Sequence, residues 1–96
     1  MPESYNQVQQ TRTAIGTPNT WVAVTIPIGA RNPLLSVEDT SASFRVSTDN
    51  SLNPSNQGVG IPAKGSYAHE GVNTNSLTLY ISASIATTAF LIFTLD

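Results

Sequence analysis

His69 and Glu70 are the first place to look for chemistry, because His69 is the single histidine among 96 residues. A histidine near an acid, with serines elsewhere, is the raw material of a Ser–His–acid triad, in which imidazole takes the hydroxyl proton. The G-x-S-x-G turn that presents such a serine in many hydrolases does not occur. His69 therefore reads as a surface side chain near a strand end. Glu38-Asp39 and Asp49-Asn50 offer oxygens of the kind Ca²⁺ takes, without the ligand spacing of an EF-hand. The simpler reading is turn chemistry, in which Asp and Asn bond nearby backbone. Six acids with no marked cleft single out no catalytic carboxylate pair. Trp21, Tyr5, Tyr67 and Tyr80 could form a sugar-stacking platform; core packing of Trp21 and surface packing of the tyrosines is the alternative. Gly58-Val59-Gly60 lacks the Lys-Ser/Thr and the helix of a phosphate loop and reads as turn.

The elements that must carry these residues are strands. Val22, Val24, Ile26 and Ile28 alternate with Trp21, Ala23, Thr25 and Pro27, predicting a strand over 21–28 that Pro27 ends or confines to an edge. Residues 34–37 form a short strand. Ala42, Phe44 and Val46 then alternate with Ser41, Ser43, Arg45 and Ser47, giving one apolar face and one small polar face. Residues 48–60 carry Asn50, Asn53, Pro54, Asn56, Gly58 and Gly60 and read as a long surface loop. An edge segment at 61–65 and a strand at 66–70 follow. The last strands are 77–85 and 89–95, and the second, apolar on both faces at 90–93, is expected to be central. The stretch 77–95 has no charge over a length that could span a bilayer. Its alternation of Leu77, Leu79, Ile81, Ala83 and Ile85 with Thr78, Tyr80, Ser82 and Ser84 is that of a half-buried strand instead.

No segment shows helical capping with an apolar stripe. Seven or eight short strands with regular turns predict an all-β fold, a compact β-sandwich or jelly roll of antiparallel strands. Residues 1–15 are expected as an extended N-terminal arm, with a possible strand over 8–15, and 16–96 as a single β domain.

Composition excludes several functions. Only ten residues are charged, with a formal net charge of −2, so no electrostatic footprint for nucleic acid or an anionic membrane exists. There is no cysteine, hence no disulfide framework, thiolate metal site or cysteine nucleophile. The N-terminus has neither the basic nor the apolar region of a signal peptide. Ser, Thr, Asn and Gln together fill 35 positions, so the surface is polar but neutral. Such a surface suits contacts that avoid desolvating ions.

The order of segments from Trp21 onward carries a resemblance. WVAVTIP (21–27), LLSVED (34–39), ASFRVSTDNS (42–51), GIPAKGSY (60–67) and SLTLYISAS (76–84) follow one another as in small β-sandwich or jelly-roll virion structural proteins of tailed bacteriophages. The similarity covers about 75 residues, and Lys64 departs from it where a small residue or Gly is expected. It implies a non-enzymatic virion protein without cofactor or metal, assembled in the host cytoplasm. The first expectation is a homotrimeric capsid decoration or cement protein that bridges capsid subunits. The alternative is a tail, spike or fibre module that binds a carbohydrate or host receptor. Partner contacts are expected from the arm, at Tyr5, Gln7, Gln9 and Arg12, and from the long loop, at Asn50, Asn53 and Asn56.

Overall fold

The structure, a computed structural model, describes residues 7–69 and 75–95. Every regular element among them is a strand: β1 (Gln7–Ile15), β2 (Val22–Ile26), β3 (Arg31–Val37), β4 (Phe44–Ser47), β5 (Val59–Ile61), β6 (Tyr67–Ala68), β7 (Leu77–Ala83) and β8 (Thr87–Leu95). They form two four-stranded sheets, ordered β1-β8-β3-β6 and β2-β7-β4-β5. All pairings are antiparallel and they are nested: β1 with β8, β2 with β7, β3 with β6, β4 with β5. The chain is thus one long hairpin whose tip is the 48–58 loop, rolled so that successive strand pairs fall into opposite sheets. Further pairing of β8 with β3 and of β7 with β4 closes each sheet. This is the jelly-roll arrangement of a two-layer sandwich.

Alternation decides which side chains fill the space between the sheets. Val24, Ile26, Phe44, Val46, Leu79 and Ile81 come from one sheet, Leu35, Val37, Ala89, Leu91 and Phe93 from the other, and all are buried. Their partners one residue along face outward, as period 2 requires. β8 lies between β1 and β3, the central place expected from its apolar run. The stretch 77–95 is two strands, β7 and β8, one in each sheet. Among the described residues, no helix is long and apolar enough to cross a membrane.

Three boundaries differ from the sequence reading. The strand expected over 21–28 stops at Ile26. The Pro27 carbonyl accepts the Ala30 amide and Gly29 takes φ 87°, so a tight turn throws Ile28 outward to 65% exposure. Proline ended the ladder, and a turn overrode the alternation. Second, the long loop is shorter than expected, because Val59–Ile61 pairs with β4 as β5. Third, the strand expected over 8–15 begins at Gln7 and belongs to a sheet: β1 pairs with β8 over its whole length without a register shift. The division between an arm at 1–15 and a domain from 16 falls at the end of a sheet strand.

Candidate functional site

The outer face of the β2-β7-β4-β5 sheet mixes short side chains, Ala23, Ser47 and Ser82, with the larger Tyr80 and Arg45. Arg45 of β4 stands between Ser82 of β7 and Gly60 of β5, its two register partners. The face is not flat, because the 48–58 loop folds back across it. The Trp21 indole N–H donates to the Leu52 carbonyl at 2.8 Å, and the Ser82 hydroxyl donates to the Pro54 carbonyl at 2.9 Å. Those bonds explain why Ser82, on an outward face, is only 2% exposed. Trp21 is therefore an anchor for the loop.

The loop is shaped by a repeated local bond. In Asp49-x-Ser51 and Asn53-x-Ser55, the first side chain's Oδ1 accepts the Ser amide at 2.9 Å and the Ser hydroxyl at 2.7 Å. Asp39-x-Ser41 repeats this between β3 and β4. Short polar side chains bonding backbone two residues on are the physical basis of such turns. The Ser41 hydroxyl and amide hold the Asp39 carboxyl below its ordinary pKa, and those of Ser51 do the same for Asp49, because both bonds favour the charged form. Gly58 closes the loop at φ 86°. A Cβ there would lie 3.0 Å from the Val46 carbonyl oxygen and 3.2 Å from the tip of the Trp21 ring. Only glycine fits.

Between the loop and the β4–β5 pair lies an open hollow of about 390 Å³. Asn19, Ser43, Arg45, Ser55, Gly60 and Ser84 contribute to its wall. Among the described residues, Arg45 is the one charged residue lining it. Its guanidinium lies flat over Gly60, with Nη1, Cζ and Nη2 at 3.5, 3.8 and 4.0 Å from where a Cβ would be. The absence of a side chain at residue 60 makes that position possible. A second hollow, about 360 Å³, opens beside Val59 and Tyr67.

The other candidates from the sequence are dispersed. His69 Nδ1 faces the Tyr67 hydroxyl at 3.3 Å, and its amide donates to the Pro33 carbonyl; Glu70 lies outside the described residues. Glu38 pairs with Arg12 while Asp39 and Asp49 serve their own turns, and no group of three metal-ligating side chains occurs among the described residues. The aromatics do not assemble: Trp21 holds the loop, Tyr67 sits against His69, and Tyr80 lies opposite Ala23 and Ser47. Tyr5 is outside the described residues.

Of the expected contact residues, Gln7 pairs with Leu95 through the backbone and Gln9 sits opposite Phe93. Arg12 forms an ion pair with Glu38 across the sheet. Asn50 and Asn56 are exposed on the loop, whereas the Asn53 side chain is engaged with Ser55. The sequence reading missed the Arg45–Ser82–Gly60 row. The F-R-V-S pattern marked Arg45 as outward-facing, but nothing local pairs residues so far apart in the chain.

β1 has a different kind of exposure. Among the described residues it pairs with β8 alone, leaving a nine-residue edge. Gln9, Thr11 and Thr13 point toward the opposite sheet, yet Thr11 is exposed, and outward-facing Val8 is 72% exposed. Compared with known proteins, the chain matches no family model, no curated protein and no solved structure.

Proposed function

We propose that this chain is a non-enzymatic structural protein of a phage virion, acting as a decoration or cement protein that bridges capsid subunits as a homo-oligomer, most simply a trimer. The β1 edge carries this reading. Natural edge strands are blunted by proline, bulges, unpaired charge or covering segments. β1 has no proline and no bulge, and its single charged side chain, Arg12, is paired with Glu38. A long, neutral edge is a surface on which another chain can add a strand through backbone hydrogen bonds. The low-charge surface supports the same reading, since neutral Ser, Thr, Asn and Gln contacts avoid the desolvation cost of burying ions. The sequence resemblance supplies the virion context.

The experiment adds purified protein to capsids that lack it and images the particles. Bound copies at regular positions on the shell are expected. Thr11→Lys, which places an ammonium on the edge, should abolish binding while leaving the monomer fold unchanged. Deleting residues 1–6 and deleting residues 1–15 should differ, because only the second removes β1 and uncovers β8. A wild-type protein that stays monomeric and leaves capsids bare refutes the proposal.

A further inference from the structure

We propose that the hollow over β4 and β5 is a binding site for an acidic sugar, a pyranose bearing a carboxylate, with Arg45 pairing to that carboxylate. This does not rest on the assembly role and uses a different face of the molecule.

Three observations converge on that chemistry. The first is charge. Arg45 is the one charged residue in the lining among the described residues, and no acid among them shares the site to neutralise it. The described residues offer its guanidinium no hydrogen bond or ion pair, whereas Arg12 is paired with Glu38. Held flat over Gly60, the guanidinium keeps its N–H edges free for the two-pronged contact that a planar carboxylate matches.

The second is the set of neutral groups around it. The Asn19 side-chain amide and the Ser43 hydroxyl make no hydrogen bond to the described residues. Ser84 Oγ accepts the Ser43 amide at 3.1 Å, which leaves its proton to donate. Donors and acceptors of mixed sense, placed around one cation, match the alternating hydroxyls of a sugar ring better than the plain carboxylate of a peptide side chain. The floor is fixed, since the Ser82 hydroxyl is held by the Pro54 carbonyl.

The third is size and texture. At about 390 Å³, the hollow is at the small end of ligand sites, which run from about 300 to 1,000 Å³. It accommodates one ring rather than a folded segment. Among the described residues no aromatic side chain offers its face to the site: Phe44 in the lining is buried with its ring in the core, and Trp21 is engaged with the loop. Recognition would therefore depend on the ion pair and hydrogen bonds, not on stacking. A neutral sugar would gain little, and even an acidic sugar would bind weakly at one site.

The test is a titration of the intact ¹⁵N-labelled protein followed by amide chemical shifts. The probes are glucuronate, galacturonate and N-acetylneuraminate, with glucose, galactose, acetate and a glutamate-containing tripeptide as comparisons. Saturable shifts at Ser43, Arg45, Gly60 and Ser84 are expected with at least one acidic sugar in the millimolar range. Neutral sugars and acetate should be at least tenfold weaker. Arg45→Gln should remove the response while the rest of the spectrum stays in place. Gly60→Leu, which leaves the charge but fills the ground beneath the guanidinium, should weaken it as well. Raising the salt concentration should reduce the wild-type response. The proposal is overturned if none of the acidic sugars shifts these amides, if acetate or the tripeptide does so equally well, or if Arg45→Gln binds like wild type. Arg45→Gln should still decorate capsids, so failure of this site and failure of the assembly reading are separable.

Discussion

Gly58→Ala tests the account of the loop most directly. Gly58 has φ 86°, a left-handed conformation, which costs a residue with a Cβ about 1–2 kcal/mol. The new methyl would also meet the Val46 carbonyl oxygen at 3.0 Å and the Trp21 ring at 3.2 Å. The carbonyl belongs to β4, whose ladders to β5 and β7 leave it little room to retreat. Overpacking of this kind adds about 1–3 kcal/mol. Alanine also restricts the unfolded chain, which returns about 0.4–1 kcal/mol. The net loss is about 1–4.5 kcal/mol, a large share of the 5–15 kcal/mol that is usual for a domain. Urea unfolding followed by the fluorescence of Trp21, the single tryptophan, reads both the midpoint and the state of the loop anchor. In a thermal melt the midpoint should fall by roughly 5–35 °C. Gly16→Ala is the control, since nothing lies within 4 Å of a Cβ there; its effect should stay within about 0.5 kcal/mol. If the two alanine variants unfold alike, the contacts assigned to Gly58 are wrong.

Lys64 sits at φ 70° in the turn closed by the Gly65 amide on the Pro62 carbonyl. Lys64→Gly should leave stability level or raise it by up to about 1 kcal/mol in a urea melt, because glycine relieves the left-handed strain while loosening the unfolded chain. Arg12→Ala breaks the ion pair with Glu38, whose side chains are 54% and 40% exposed. The loss should be under about 1 kcal/mol and should shrink further at high salt. The carboxyls of Asp39 and Asp49 have lowered pKa values in the folded state. Their contribution is therefore complete above the ordinary carboxylate pKa and is lost as pH falls through the lower folded values. Urea midpoints should fall in acid, and replacing both Ser41 and Ser51 by Ala should flatten that fall.

Much of the fold was legible because alternation reports directly on which face is buried. Phe44 and Val46 inward with Arg45 and Ser47 outward needed only the period of a strand. The apolar run at 90–93 marked a central strand, since an edge strand seldom needs both faces covered. The reading failed where local geometry overrides pattern. Ile28 continued the alternation of Val22, Val24 and Ile26, but Pro27 and Gly29 turn the chain there. Residues 8–15 read as a strand within an arm, because Gln and Thr provide few apolar anchors. They are a sheet strand because backbone hydrogen bonds to β8 do not depend on side-chain type.

The candidate site shows the same division. The F-R-V-S pattern marked Arg45 as facing outward, and the Asn- and Gly-rich composition marked 48–60 as a loop. Neither told that the loop lies over that face, or that Ser82 and Gly60 flank the arginine from strands distant in the chain. By itself the sequence determined the all-β class, the inward and outward faces, the turns and the scarcity of charge. Those follow from local stereochemistry and from burying apolar side chains. The tertiary structure alone decided strand order, the exposed edge of β1 and the company Arg45 keeps. Alternation states which face of a strand is buried, but not which strand lies beside it; that is settled when the whole chain shares one core.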